Sequence, residues 1–572
     1  MKLQNLIPNW ILQFVEKPSR IYAELTAGLM MAVLVIPQSL GYATLAGLPP
    51  IMGLYASITP VLVYAWLGAS SIASVGPVAV TAIMTASALS HYSLGSPQYI
   101  QLAITLAFMV GVILSLASML RLGWIMQFVS RGVAAGFVSG AAILIILSQI
   151  KYILGISLNS DSLILASQGL YAQAKFIHLP TTILGMITLI ILLISRYGES
   201  IVWGSWLPKK SAGFAGRLFV IILVMFSIWL AHHWQFDDMG IRLLQALPTG
   251  FPSASLPTIS VDIIVQLLPS ALLIALVAFI SSSTIAGQHA RLRGEDYQPN
   301  KDLLGLGLAN LTSGLYGGFA VSGGISRTSL NLSVGSNSPL SSIVCAIGIW
   351  AILMFFGRQL EGLPYAVLAA VIITSVISMV DKKTFKQAWQ HDRADAICFI
   401  ITFVTAITFG LNAGLVSGIL TSFAMMVYRT HQVHIATVGR IDDSEHYRNV
   451  KRHSVTTFDG IMLLRIDESL YFGNCQTVHS QLSVHAQDAQ IHHLVLIMTA
   501  VNHIDLSAQE MLLELNKECL KYQKQLHFAE IKGPVMDKLV GGQLLAQLSG
   551  QVFLSTNQAV CKLTNPDADC DE

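Results

Sequence analysis

The stretch from Gly317 to Pro339, GGFAVSGGISRTSLNLSVGSNSP, sets a chemical problem. It lies between apolar runs long enough to cross a bilayer, yet it is full of glycine and hydroxyl side chains and carries one arginine, Arg327. An arginine at the centre of a membrane helix costs about 2.5–3.5 kcal/mol on insertion scales, so it needs a polar cavity or a partner. Gly323 and Gly324 can break a helix, and Ser326, Arg327, Thr328 and Ser329 can open a new one. A helix that begins inside the membrane aims free N–H groups and the positive end of its dipole at whatever lies ahead. With a guanidinium beside it, the fitting guest is an anion. The competing reading is a structural cation that caps carbonyls of neighbouring helices. No acid sits at the centre of any apolar span, with Glu24 at the edge of the first and Asp395 opening the thirteenth, and that favours the anion.

Three other segments bear on the same chemistry. Pro37 to Ala43, PQSLGYA, is expected to interrupt the first apolar helix, with Gln38 and Tyr42 four residues apart and so on one face. They would offer an amide donor and an aromatic wall, although a proline kink with interhelical hydrogen bonds reads equally well. Ser74 to Ala79, SVGPVA, places Pro77 where helix N-termini tolerate it, and Gly76 allows a tight approach to the helix start. The run Ser281-Ser282-Ser283-Thr284 can line a water-filled cavity or bond to its own helix.

These segments need a membrane scaffold to hold them, and the composition provides one. The chain has 572 residues, 53% hydrophobic and 11% charged, with a mean hydropathy of +0.63, which excludes an ordinary soluble enzyme. A net charge of +2 with no pooled basic patch gives no sign of nucleic-acid binding. No removable signal peptide is expected, because the first apolar run is of membrane-span length. The six cysteines show no C-x-x-C pairing and read as packed or free thiols, with no metal site.

Residues 21–430 accommodate about fourteen apolar segments of membrane-helix length or slightly less, from 23–41 to 413–428. Two are short and follow a glycine-containing entry, 75–90 and 325–336. With the N-terminus on the cytoplasmic side, Arg131, Arg196, Arg291, Lys382, Lys383 and most other basic residues fall in inner loops. Lys151, Lys175, Arg242 and Arg358 fall outside, the asymmetry that the positive-inside rule demands. If the spans divide seven and seven, the third and tenth are equivalent and opposed. Paired interrupted segments of this kind point to a transporter's midplane site.

Beyond residue 430 the composition turns polar. Residues 1–20 read as a cytoplasmic N-terminal segment, 21–430 as the membrane domain, 431–453 as a linker and 454–572 as a cytoplasmic α/β domain. In the last, strand-like runs at 460–466, 494–499, 525–531 and 551–555 alternate with helical patterns at 476–486, 507–522, 534–548 and 557–563. Ser507 with Glu510 reads as a capping box, and Ser507 is also a candidate for regulatory phosphorylation.

The chain resembles the SulP family of anion transporters, bacterial relatives of solute carrier family 26, along nearly its whole length. The residues that carry the resemblance are Ile36-Pro37-Gln38 with Tyr42-Ala43, Pro50 to Ser57 (PIMGLYAS), Ser74-Val75-Gly76-Pro77, Gly317-Gly318-Phe319, Ser326-Arg327-Thr328, Asp392 to Asp395 and Gly414 to Gly418. Leu464 to Asn474 with Asp505-Leu506-Ser507 looks like the family's STAS domain. The resemblance implies fourteen helices in two inverted repeats, split into core and gate domains, moving as an elevator, usually in a homodimer. It implies an anion bound between the N-termini of spans three and ten, near Gln38, Tyr42, Gly76, Val78, Ser281, Ile325, Ser326 and Arg327. Many bacterial members carry a carboxylate where this chain has Ser281, so the coupling ion stays open between proton, sodium and counter-anion. The expectation is a multi-pass inner-membrane carrier, without an enzymatic cofactor, of a small inorganic or carboxylate anion. Sulfate leads, with bicarbonate, chloride and dicarboxylates behind it. A nucleobase carrier of the same architecture, an anion channel, or an anion sensor that signals to a cytoplasmic partner through the STAS domain are the alternatives.

Overall fold

The computed structural model describes residues 19–124, 130–158, 162–197, 209–245, 247–248, 250–324, 327–328, 331–332, 336, 338–442 and 444–565. Two compact units divide the chain, one through Ser422 and one from Phe423 onward.

The first unit is helical: α1 (Ser19–Leu45), α2 (Ile51–Tyr55), α3 (Thr59–Leu67), α4 (Ala79–Ala88), α5 (Pro97–Met119), α6 (Arg131–Leu154), α7 (Leu163–Gln173), α8 (Leu179–Tyr197), α9 (Lys209–His233), α10 (Val261–Arg293), α11 (Pro299–Leu315), α12 (Leu340–Phe356), α13 (Tyr365–Val376), α14 (Lys382–His391), α15 (Arg393–Phe409) and α16 (Leu411–His431). Among the described residues eight helices are long and apolar enough to cross a membrane, and 51–67, 79–88 and 219–233 are shorter apolar segments. Most of the expected span 325–336 lies outside the described residues.

Two sequence expectations change. Pro37 does not interrupt α1, which runs through it unbroken. A proline inside a membrane helix is tolerated when side chains and neighbouring helices take up the freed backbone groups. The helix is packed on its flanks and braced locally by Ser39, whose hydroxyl donates to the Val35 carbonyl at 2.8 Å. Conversely, 75–90 is not one helix. Val75–Gly76 is a two-residue strand, β1, and the helix begins at Ala79.

The helices fall into two packing groups. In one, α12 lies on α1, and α11 lies on α3 and α5. Small residues permit this: a Cβ at Gly111 would meet the Leu311 backbone nitrogen at 2.5 Å. In the other, α15 and α13 lie on α6, with α8 beside α13. There a Cβ at Gly132 or Gly136 would meet the carbonyls of Asp395 or Phe399 at 2.2 and 2.5 Å.

The second unit is a six-stranded sheet of order β4-β3-β5-β6-β7-β8: β3 (Ile435–Arg440), β4 (Tyr447–Asn449), β5 (Ile461–Ile466), β6 (His493–Ile497), β7 (Gln525–Ala529) and β8 (Val552–Phe553). Strands β5 to β8 are parallel, and β3 is antiparallel to β4 and β5. Helices α17 (Cys475–Gln487), α18 (Leu506–Lys521), α19 (Gly533–Val540) and α20 (Thr556–Thr564) complete it. Alternation along the strands supplies two cores. Leu464, Leu494 and Leu496 join the core that holds Leu482 and Leu512, whereas Leu463, Val495 and Ile497 join Ala559 and Val560. The sheet starts inside the stretch whose composition suggests a linker: β3 lies there, paired on both sides, and the three-residue β4 forms the sheet edge beside it.

At the start of α18 the cap is Asp505, not Ser507: the Asp505 carboxylate accepts from the Ala508 N–H at 2.9 Å. Ser507 lies within the first turn with its side chain exposed. Cys345, Cys398, Cys475 and Cys519 are free thiols, as expected, while Cys561 is disulfide-bonded.

A histidine pair, His527 buried and His493 half-buried, ties β6 to β7 and to the residue before β8. His527 accepts from the Gln551 N–H at 3.0 Å through Nδ1, which leaves its Nε2–H to donate to His493 Nδ1 at 3.1 Å. Burial, with the neighbouring His493 adding to it, pushes the His527 imidazole down from 6.5 to about 4. A base depressed in the folded state is neutral there while its unfolded form takes up a proton. This stabilisation is therefore complete above pH 6.5 and is lost as pH falls toward 4. Denaturant unfolding of the C-terminal unit is expected to show a loss of about 3 kcal/mol across that window, and His527→Gln should flatten the slope.

Candidate functional site

The site is built where two short strands meet. β1 and β2 (Ser322–Gly323) pair antiparallel, Val75 with Gly323 and Gly76 with Ser322. Each strand leads directly into a helix start. After β1, Val78 is the extended N-cap of α4, whose first-turn N–H groups have no partner within the helix. After β2, the Thr328 N–H bonds the Gly324 carbonyl at 2.9 Å, one helical turn, and the Thr328 hydroxyl accepts from the Ser74 N–H at 3.1 Å. The two chain breaks inferred from sequence are thus stitched to one another.

Arg327 is 2% exposed. Its Nη2 donates to Ser39 Oγ at 2.8 Å and to Ser57 Oγ at 3.1 Å, and those two hydroxyls are 2.8 Å apart. Ser57 reaches Ser39 because α2 lies against α1 at Gly53, where a Cβ would sit 1.9 Å from the Ser39 carbonyl. Gly76 flanks the guanidinium closely: a Cβ there would be 2.2 Å from Nη1. The Arg327 Nε–H has no hydrogen-bond acceptor among the described residues, and no carboxylate among them lies within salt-bridge distance. A buried cation held by neutral hydroxyls, with one donor unmet, is an incomplete electrostatic arrangement.

A cavity of about 2140 Å³ reaches this guanidinium. Gln38, Tyr42, Val78, Ser281 and Arg327 line it, with Gly323 and Gly324 beside them. Gln38 and Tyr42 share a helix face as their spacing requires, and the Gln38 amide donates to the Tyr42 hydroxyl at 2.7 Å. The cavity wall also carries Arg131, Arg196, Arg291, Lys382 and Lys383 against two acids, Asp381 and Asp395. That basic set belongs to the loops that the charge asymmetry assigns to the inner side. Ile325 and Ser326 lie outside the described residues. Ser507 belongs to the other unit and takes no part in this site.

Sequence reasoning missed the hydroxyls that hold Arg327, although Ser39 follows Gln38 and Ser57 ends the PIMGLYAS motif. It also missed Asp302, which is fully buried at the start of α11. The signal was available: an acid three residues after Pro299, opening an apolar span.

Comparison with known proteins places the chain in a family. Residues 21–402 match the model of the Sulfate permease family and residues 453–559 that of the STAS domain. The chain is 33% identical to Sulfate transporter 4.1, chloroplastic, of Arabidopsis thaliana over 510 residues, 86% of this chain and 73% of that one. It is 30% identical to a protein of Mycobacterium tuberculosis named as a probable sulfate transporter, over 96% of this chain and 97% of that one. In fold it is similar to murine Solute Carrier 26 family member A9, with a TM-score of 0.86, 20% identity, and 98% and 94% of the two chains covered. The transmembrane domain of a cyanobacterium bicarbonate transporter, BicA, matches with a TM-score of 0.58 and 20% identity, over 70% of this chain and 97% of that one. The chain belongs to the sulfate permease family: it is a multi-pass membrane transporter with a C-terminal STAS domain, and not an enzyme.

Because the Gly76 Cα faces the guanidinium, Gly76→Ala is expected to push Arg327 off Ser39 and Ser57. If an anion is held beside Arg327, sulfate affinity of the purified protein should fall about tenfold to a hundredfold, with thermal unfolding shifted little, since one displaced charge-assisted contact is worth about 1.5–3 kcal/mol. Equilibrium binding of radiolabelled sulfate checks this.

Proposed function

We propose that the protein is a secondary transporter of a small anion, sulfate foremost. The anion is bound beside Arg327 between the N-termini of the third and tenth membrane helices. It is carried across by an elevator-type movement of one helix group against the other, in a homodimer. The observation that carries this reading is the Arg327 guanidinium, buried, hydrogen-bonded to serine hydroxyls, unmatched by a carboxylate among the described residues and open to a large cavity. An oxyanion would accept from the unmet Nε–H and from the first-turn N–H groups of α4, and it would neutralise the buried charge. Sulfate is favoured because the Arabidopsis and Mycobacterium relatives described above bear sulfate-transporter names.

The basic wall of the cavity supports the same assignment. Arg131, Arg196, Arg291, Lys382 and Lys383 raise the local concentration of anions along the approach. The cavity opens toward residues that the positive-inside rule puts in the cytoplasm, so the conformation corresponds to an inward-facing state in a plasma membrane, with the N-terminus and STAS domain cytoplasmic. A nucleobase would find no carboxylate beside Arg327, among the described residues, to receive its ring N–H groups.

Flux from proteoliposomes with a panel of anions is the test. Radiolabelled sulfate should exchange well above protein-free vesicles, and uracil should not move. Sulfate binding without flux would make the protein a sensor, uracil uptake without sulfate uptake would make it a nucleobase carrier, and currents far above carrier turnover would make it a channel. Subsaturating flux should also fall several-fold when inert salt shortens the Debye length from about 30 Å to about 8 Å. Arg291→Gln should weaken that salt dependence.

A further inference from the structure

Behind the cavity wall lies a second buried polar centre. Asp302 is fully buried. Its Oδ2 accepts from the Tyr297 hydroxyl at 2.9 Å and from Ser282 Oγ at 3.2 Å, and its Oδ1 accepts from the Tyr64 hydroxyl. The Ala69 backbone N–H also bonds it, so the groups that face it come from α3 and the loop after it, from α10 and from the loop before α11, and all are neutral donors. No lysine, arginine or histidine lies within salt-bridge distance among the described residues; nearby Arg293 pairs with Glu295 at 3.7 Å, and Glu295 takes the Ser71 hydroxyl at 2.8 Å. A carboxyl with three hydroxyl donors, a backbone N–H and no counter-cation is pulled two ways. The donors favour the anion and burial favours the acid.

Two contacts connect this carboxyl to the rest of the machinery. Tyr297 lines the cavity, so its hydroxyl stands between cavity water and Asp302. Ser282 is seated on β2: a Cβ at Gly323 would meet Ser282 Cα at 2.8 Å, and the Ser322 hydroxyl donates to the Ala278 carbonyl of the same helix at 2.9 Å. β2 leads into Arg327 four residues on. Asp302 itself lies outside the cavity lining.

Resting on the anion-transport reading above, we infer that Asp302 is the proton-binding residue that couples anion movement to the pH gradient, with Tyr297 as its proton relay. Hydronium in the cavity gives a proton to the Tyr297 oxygen and becomes water, while the Tyr297 hydroxyl proton passes to Asp302 Oδ2. The carboxylate becomes a carboxylic acid, and the reverse sequence releases the proton. An anion entering the cavity and an ionised Asp302 repel one another, so each proton bound favours the anion and each anion bound favours the proton. Symport of proton and anion is the result.

The test uses the full chain in proteoliposomes, with radiolabelled sulfate as probe and the membrane potential clamped at zero. A gradient of one pH unit, acid outside, then supports about tenfold sulfate accumulation per coupled proton. Wild type should accumulate sulfate on this scale. Asp302→Asn should reach only the equilibrium level, while sulfate–sulfate exchange at symmetrical pH stays within about threefold of wild type. Gradient-driven accumulation retained in Asp302→Asn overturns the proposal. So does a wild type that exchanges sulfate but ignores the pH gradient, a result that leaves the transport reading intact. Wild type with no exchange at all overturns both. If Asp302→Asn fails to fold, Tyr297→Phe decides: it keeps the carboxyl and removes the relay hydroxyl. The ratio of gradient-driven to exchange rate should drop several-fold, and an unchanged ratio refutes the relay.

Discussion

The structure depends on one buried charge. Arg327 sits within a membrane domain with two serine hydroxyls as its hydrogen-bond partners and no carboxylate at salt-bridge distance among the described residues, and a positive charge so placed stays costly until a further acceptor meets it. A structural arginine would be expected to cap carbonyls or meet a carboxylate. This one spends its contacts on hydroxyls, which can equally turn to water or an oxyanion. The incomplete satisfaction of the guanidinium leaves the position open to a further acceptor.

Everything around it follows from placing that charge without filling the space in front of it. The β1–β2 pair fixes the starts of the two interrupted helices, so Val78 and Arg327 flank one spot although 249 residues of sequence, by their numbering, separate them. Gly76 removes the side chain that would collide with Nη1, and Gly53 lets α2 bring Ser57 next to Ser39. Each of these glycines is required by a close approach. Behind this layer, Ser282 joins β2 to Asp302, so the strand that leads to Arg327 and the buried carboxyl share a wall of α10.

Much of this was legible in the sequence, and the limits were physical. Arg327 stood out because a charge in an apolar stretch is costly. Gly76-Pro77 stood out because that pair ends one conformation and begins another. The STAS elements showed through because alternation of period two and helical spacing are local signals, and their boundaries agree with the structure to within a few residues apart from the last turns of α19. What did not show were partners brought together from far along the chain. Serine is so common in membrane helices that nothing local distinguishes Ser39 and Ser57. Asp302 hid as an ordinary first-turn acid, since only the tertiary structure sets two tyrosines over it. Pro37 misled because packing, which the sequence does not display, keeps α1 continuous. β4 went unseen because a three-residue edge strand carries too little pattern, and β3 because its small and polar residues, IATVGR, give a weak apolar signal next to a run of charge.

If Arg327 holds the transported anion, its loss must show in binding itself. Equilibrium binding of radiolabelled sulfate to purified wild type and Arg327→Gln, with folding checked by thermal unfolding, measures this without the intervening steps of transport. Wild type should bind saturably, and the variant should bind at least about a hundredfold more weakly, from the loss of a desolvated charge-assisted contact of about 3 kcal/mol. Equal affinity in the two proteins would show that Arg327 only braces the fold and that the anion binds elsewhere.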